Sequence, residues 1–382
     1  LCNMAFSSVN PFPITGYIGK SFFCDREYEL MTLKKQVENN INTTLISLRR
    51  LGKSSLIHRL FEDLRVDNTC HCIYVDIYPT QNLKEFTENL SQAILQQIPE
   101  HKSFGKRFLD LLKGFHPVIS YDPLTGAPEV SFGFTEMKTT EKTLTGIFQF
   151  LENEAQQAVV AIDEFQQVAN YPEVNTEALL RSRIQNLQKT RFIFSGSNKH
   201  MMAEIFNSAK RPFFSSTQMM YLNPISQDAY YTFIKNKFEE GGKKIDDEAI
   251  GFILEWTRLH TYYTQVICNN TYALPLKNIR LEDVKQVCSN LLLSQQATYV
   301  QYRQLLSPVQ WQLLIAIAKE GKVYQPQSKT FIQKYKIGTP ANSKRALDAL
   351  LEKEMIYREE DVRDLWYQVY DVFLSRWLEL TF

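Results

Sequence analysis

The stretch Thr43-Thr44-Leu45-Ile46-Ser47-Leu48-Arg49-Arg50-Leu51-Gly52-Lys53-Ser54 reads as a short β-branched strand running into a tight polar loop. The amphipathic segment 54–64 follows and predicts a helix. Residues 47–54 match the pattern G-x-x-x-x-G-K-S/T at every fixed position but the first, where Ser47 stands for glycine. Strand, loop and helix in that order turn backbone N–H groups at a helix N-terminus into an anion cradle. In such a P-loop Gly52 lets the backbone approach a phosphate closely, Lys53 meets the outer phosphates, and the Ser54 hydroxyl ligates Mg2+. Arg49, Arg50 and Leu51 before Gly52, and Ser55 after Ser54, complete the candidate phosphate-binding set.

A Gly-Lys-Ser triplet alone is a weak signal, so its company matters. Val159-Val160-Ala161-Ile162-Asp163-Glu164 is an apolar strand ending in two carboxylates. Asp163 is placed to hold Mg2+ through water, and Glu164 to polarise an attacking water. Ser195-Gly196-Ser197 ends the next apolar run, either as a simple Gly-Ser turn or with Ser197 facing a γ-phosphate. Arg181, Arg183 and Arg211 are candidates for a γ-phosphate-sensing arginine, with Arg211 preferred because it lies just before the last strand.

Further strands are expected at 72–76, 192–195 and 219–222, and the alternation of such runs with helical stretches predicts a parallel sheet with helices on its faces. A helix is expected over 83–98. Val118–Tyr121 and Val130–Phe134, joined by Asp122-Pro123-Leu124-Thr125-Gly126, predict a hairpin insertion at about 117–135. From Ser226 to about Gln296 the pattern is all helical, with segments 227–239, 246–257, 262–274 and 281–295. Three short helices (308–319, 328–335, 341–353) and two strands (355–358, 366–369) around the turn Glu359-Glu360-Asp361 form the winged-helix pattern. The expected division is a core at 1–224, a helical segment at 225–300 and a winged helix at 301–382.

The chain has 382 residues, 44% hydrophobic and 22% charged, the balance of a globular protein of about two or three domains. No run of about eighteen apolar residues occurs, which excludes a membrane-spanning helix. The N-terminus lacks the basic and apolar regions of a secretory signal. A net charge of +1 argues against bulk electrostatic binding of nucleic acid or anionic membrane. Among six cysteines only Cys70-His71-Cys72 clusters, without the second ligand pair of a zinc site. Its alternation into Ile73-Tyr74-Val75 predicts a strand with reduced thiols, and so a cytoplasmic location.

Taken together these motifs resemble the archaeal-type ATPase family of the AAA+ class, in particular its branch common in Bacteroidetes-like bacteria. The likeness begins at Asn10-Pro11-Phe12 and Phe23-Cys24-Asp25-Arg26-Glu27, similar to the family's opening motif beside the adenine. It runs through Arg49–Ser54, Ile162-Asp163-Glu164-Phe165 and Phe194–Ser197 to the closing motif Asp371–Leu378. The resemblance implies a three-layer α/β core with a five-stranded sheet, a helical lid, a C-terminal winged helix, and ATP as nucleotide, with Asp25 and Arg26 at the nucleotide. Two departures bear on activity. Leu259-His260-Thr261 stand where relatives often carry Gly-His-Pro before Tyr262-Tyr263, in the part of the lid that senses nucleotide state. Ser215-Ser216 occupy the segment where many members place an arginine finger, which leaves Arg211 or an external partner to supply that charge.

The reading is therefore an ATP- and Mg2+-dependent ATPase acting as a conformational switch. The alternatives are an ATP-regulated DNA-binding regulator and a non-hydrolysing interaction scaffold. Residues 303–382 hold 12 Lys and Arg against 10 Asp and Glu, and Lys344, Arg345 and Lys353 are offset by Asp348 and Glu352. Such balance predicts weak DNA binding and favours a protein partner. Trp311, Tyr335, Trp366, Phe373 and Trp377 are expected in the core rather than stacked on bases.

Overall fold

All five apolar runs expected as core strands form them. The computed structural model describes residues 10–67, 70–96, 102–124, 126, 128–133, 136–360 and 365–382. Its first strands in chain order are β1 (Thr43–Ile46), β2 (Cys70–Asp76), the antiparallel hairpin β3 (Pro117–Tyr121) and β4 (Pro128–Phe132), β5 (Gln157–Asp163), β6 (Thr190–Gly196) and β7 (Gln218–Tyr221). Five of them make one sheet in the order β2-β5-β6-β1-β7, with every neighbouring pair parallel.

A strand covered on both faces needs apolar residues at successive positions. In β5, Val159 and Ala161 face a cluster with Leu45, Leu56 and Leu60, while Val160 and Ile162 face a second cluster with Phe86, Phe148, Phe192 and Phe194. Helices α1 (Glu27–Glu38) and α2 (Lys53–Val66) supply the first cluster. The second draws on α3 (Leu83–Leu95), α4 (Lys102–Lys113), α5 (Met137–Asn153), α6 (Thr176–Ile184) and α7 (Lys199–Asn207). The result is the three-layer α/β core expected from the resemblance.

Three local readings change. Helix α3 ends at Leu95, and the rest of the expected 83–98 helix lies partly outside the described residues. No helix was expected over 102–113, yet α4 forms there because Phe104, Phe108 and Leu112 recur every four residues and bury completely. The expected hairpin forms, with its second strand ending at Phe132, and residues 125, 127, 134 and 135 of the expected insertion lie outside the described residues.

The chain divides into two compact units, residues 15–225 and residues 10–14 with 226–382. In the second unit α8 (Gln227–Glu240), α9 (Asp247–Trp256), α10 (Thr261–Tyr272) and α11 (Leu281–Leu305) form a helical group. The all-helical expectation is corrected in one respect, since β8 (Lys244–Ile245) and β9 (Asn278–Ile279) pair in parallel. The turn at Gly242 (φ 71°) lets the chain reverse after α8 and bring those backbone groups together. Helix α11 also runs ten residues past its expected end, because no proline or glycine interrupts 281–305 and Tyr299 is buried along it.

The first described residues are held in this unit. The Asn10 Nδ2 donates to the Asn269 carbonyl (2.9 Å) and the Asn269 Nδ2 donates to the Phe12 carbonyl (2.8 Å). The fully buried Phe12 ring lies 5.4 Å from Phe238 and 6.0 Å from Tyr272.

The winged-helix pattern is realised as α12 (Pro308–Glu320), α13 (Lys329–Tyr335), α14 (Pro340–Glu352), β10 (Ile356–Glu360) and β11 (Leu365–Val369). Glu359 and Glu360, expected in a turn, pair instead with Trp366 and Leu365 in the hairpin, and Asp361 lies outside the described residues. The closing motif forms α15 (Val372–Thr381). Trp311, Phe373 and Trp377 are buried as expected, whereas Trp366 and Tyr335 are only half-buried, with the Lys322 ammonium 4.3 Å from the Trp366 ring centre.

Candidate functional site

Parallel strands deliver their C-terminal ends to one edge of a sheet, and the residues there come from loops far apart in sequence. At that edge β1 runs into the loop 47–52, β5 ends at Asp163, and β6 ends at Gly196. The loop reaches α2 through Gly52, whose φ of 95° belongs to the left-handed region that favours glycine. Ser47 is absent from the residues of positive φ, so serine serves there without strain. Lys53 and Ser54 are then the first two residues of α2, where the helix dipole favours an anion.

Asp163 gathers what the loop presents. The buried Lys53 ammonium pairs with its Oδ1. The Ser54 hydroxyl donates to Oδ2 at 2.7 Å, and the Ser195 hydroxyl donates to Oδ1 at 2.7 Å. The Tyr74 hydroxyl donates to Oδ2 at 2.5 Å. Burial by itself raises the Asp163 pKa, but the Lys53 charge and these hydrogen bonds outweigh it and hold the carboxyl well below the usual range. Burial, reinforced by the Asp163 charge, raises the Tyr74 phenol far above its ordinary value, so it remains a donor.

Glu164 follows directly in a left-handed conformation (φ 57°) that turns the chain into a short 3-10 segment, Phe165–Asn170. Its Oε2 accepts from the Ser197 hydroxyl at 2.7 Å, and its Oε1 lies 3.5 Å from the Lys53 ammonium. The Arg49 Nε lies 3.4 Å from the Ser197 hydroxyl. Lys53, Ser54, Asp163, Glu164, Ser197 and Arg49 are thus brought together. Arg50 is exposed, Leu51 is buried, and Ser55 is half-buried on α2.

Other candidates lie apart from this cluster. Arg211 is engaged by Glu177 at 2.5 Å and by Glu204 at 3.5 Å, not by Asp163 or Glu164. Arg181 lines a polar cavity of about 480 Å3 with Asn40, Asn42 and Arg191, at the N-terminal ends of β1 and β6 and so at the opposite sheet edge. Arg183 is exposed. Asp25 and Arg26, both of positive φ, lie at the start of α1, where Arg26 is buried and pairs with Glu29 at 2.8 Å. The Arg26 Nη2 is buried without a partner among the described residues, which suits a polar ligand group.

Sequence reasoning missed Tyr74, Ser195 and Gln166. Tyr74 shares a face of β2 with Cys72 and Asp76, and its placement beside Asp163 follows from the parallel register that pairs Tyr74 with Ala161 and Asp76 with Asp163. That register cannot be read from either strand alone.

The donor set suits Mg2+, which takes oxygen ligands and keeps most of its water. Ser54 and Asp163 offer two such oxygens side by side. No group of three His, Cys, Asp or Glu residues able to hold a metal occurs among the described residues. No helix among them is long and apolar enough to cross a membrane. Cys24, Cys70, Cys72, Cys268 and Cys288 are buried.

A family model described as an ATPase domain predominantly from Archaea matches residues 23–259, and one described as a probable winged helix domain matches residues 297–380. Among solved structures, a Walker-type ATPase of Pyrococcus abyssi is 18% identical with a TM-score of 0.65, over 96% of this chain and 99% of that one. The ORC2 protein of Aeropyrum pernix, in ADPNP–ADP complexes, is 12% identical with a TM-score of 0.60, over 97% of this chain and 96% of that one. At such identities the likeness speaks for the fold. No curated protein sequence matches the chain.

Proposed function

The chain belongs to the family of ATPase domains found predominantly in Archaea, and from that premise we propose that it binds ATP with Mg2+ and hydrolyses it. The observation that carries the proposal is the convergence of Lys53, Ser54 and Asp163 at the N-terminus of α2. A buried ammonium at a helix N-terminus is poised to exchange its carboxylate for a phosphate. Lys53 would neutralise the outer phosphates, while the loop 49–52 and Ser55 cradle them. Arg26 and Asp25 would lie beside the base. Ser54, with Asp163 through water, would hold Mg2+, which would screen the phosphate charge.

Glu164 would polarise the attacking water, with Ser197 beside the γ-phosphate. Arg211 is the preferred γ-phosphate sensor, but it has to leave Glu177 to act. The functional division would be a core (1–224), a lid (225–300) and a winged helix (301–382), with nucleotide state switching the arrangement of lid and winged helix. Six cysteines scattered along the chain support a reducing, cytoplasmic setting.

Binding of Mg·ATP and its turnover are to be measured in the wild type, Lys53→Ala and Glu164→Gln. Glu164→Gln should bind as the wild type does and turn over at least a hundredfold more slowly, roughly the range of general-base removal. If the wild type binds no Mg·ATP, the proposal is wrong. Turnover that fails to rise above background, with binding intact, would mark a non-hydrolysing scaffold instead.

A winged helix also supports a second reading, a nucleotide-regulated DNA-binding protein. Lys344 and Arg345 are exposed on α14, but so is Asp348, and this balance favours an unidentified protein partner. A gel-shift titration across salt decides, because DNA affinity carried by phosphate contacts falls steeply with salt and with Lys344→Glu.

A further inference from the structure

The two oxygens of Glu164 are held differently. Its Oε2 accepts two side-chain donors, the Ser197 hydroxyl (2.7 Å) and the Gln166 Nε2 (2.5 Å), while Oε1 is left toward Lys53. An ionised carboxylate only accepts, so the Gln166 amide has to present its nitrogen. Gln166 is 8% exposed and sits two residues beyond Glu164 in the 3-10 segment.

A second, independent feature keeps it there. Gly196 is not among the glycines of positive φ, so the backbone does not demand glycine at this position. Space does, because a methyl group on Gly196 would overlap the Gln166 Oε1 and the Met202 thioether. The Gly-Ser pair ending β6 therefore has two jobs at one carboxylate. Gly196 makes room for Gln166, and Ser197 supplies the other donor.

We infer that Gln166, seated against the bare Cα of Gly196, is a positioning residue that fixes the Glu164 carboxylate with Oε2 held by its hydrogen-bond donors and Oε1 turned to Lys53. A free carboxylate rotates about its last bond and exchanges its two oxygens. The two side-chain donors, with the Ser197 backbone N–H at 3.4 Å, gather on one oxygen and remove that freedom, and a preorganised base has no reorientation to complete at the moment of reaction. The inference rests on the proposed role of Glu164 in polarising water.

The test uses the full chain with Mg·ATP and Mg·ADP as probes. Gln166→Met keeps the length and bulk of the side chain and removes the donor. Gly196→Ala leaves the donor but displaces it. Both should lower kcat about tenfold, the scale of one hydrogen bond to a charged group. KM for ATP and affinity for ADP should stay within twofold, which a general packing defect would not allow.

In a double-mutant cycle, Gln166→Met should add nothing to Glu164→Gln, because its effect passes through the carboxylate. Turnover of Gln166→Met within twofold of the wild type would overturn the inference. So would a loss that adds in full to Glu164→Gln, or one that falls on nucleotide affinity instead of kcat. If Glu164→Gln alone turned over like the wild type, the reading of Glu164 would fail first, visibly in the same cycle.

Discussion

The Lys53 ammonium is paired with the Asp163 carboxylate, and both residues are more than nine-tenths buried. A lysine from the start of α2 and an aspartate from the end of β5 therefore neutralise each other where a phosphate and a metal ion would otherwise do so. Removing one partner strands a charge in a low-dielectric site, whereas removing both does not. Lys53→Ala is expected to destabilise the chain by about 3 kcal/mol in urea unfolding. The Lys53→Ala/Asp163→Asn double variant is expected to recover part of that loss. A double variant less stable than the sum of the two singles would contradict the pairing.

Acid should expose the same pair. Asp163 is depressed below the value it has in the unfolded chain, because the Lys53 charge and the hydrogen bonds outweigh burial. Such a group stabilises the fold fully above about pH 4 and loses its contribution as pH falls toward the folded value. The stability difference between wild type and Asp163→Asn should therefore be larger at pH 6 than at pH 3, as measured by urea melts at both.

Arg211 offsets a carboxylate of the opposite tendency. Burial raises the pKa of Glu177, and the Arg211 charge and hydrogen bond lower it only in part. A raised carboxylate favours the fold at low pH and loses that advantage as pH rises through its folded value. Arg211→Ala takes away the offset, so it should cost about 2 kcal/mol and more at pH 8 than at pH 5. Thermal unfolding at the two values checks the trend. Turnover of the same variant, compared at a temperature where it stays folded, reports whether Arg211 also serves the reaction.

Phe12 ties the first described residues into the second unit. Phe12→Ala empties a fully buried site among Phe233, Phe238 and Tyr272 and is expected to cost about 3 kcal/mol. Asn269→Ala, which loses the bond to the Phe12 carbonyl, should cost about 1 kcal/mol. Equal costs for the two, measured by denaturant unfolding, would show that the ring is not the anchor.

Much of the fold and part of the candidate site were legible because the relevant physics is local. A strand buried on both faces must be apolar at each position, and Val159–Ile162 obeys that without reference to any neighbour. The Gly52-Lys53-Ser54 turn likewise carries its own geometry, a left-handed glycine before a helix start. The reading of α11 stops short at 295 because the polar stretch at 294–296 weakens the apolar period, although nothing there stops a helix. Glu359 and Glu360 looked like a turn by charge, and cross-strand pairing with Trp366 and Leu365 placed them in a strand.

What the sequence determined by itself was the five core strands, the phosphate-type loop, and the two carboxylates at the end of β5, since each depends on residues within one turn or strand of one another. Tertiary structure alone decided that Tyr74, Ser54 and Ser195 would all donate to Asp163, that Gln166 and Ser197 would share one oxygen of Glu164, and that Arg211 would be engaged by Glu177. Those contacts depend on which parallel strand lies beside which, in what register, and on the missing side chain at Gly196. They join positions dozens of residues apart or depend on space left by another strand, and no local pattern of residues encodes that.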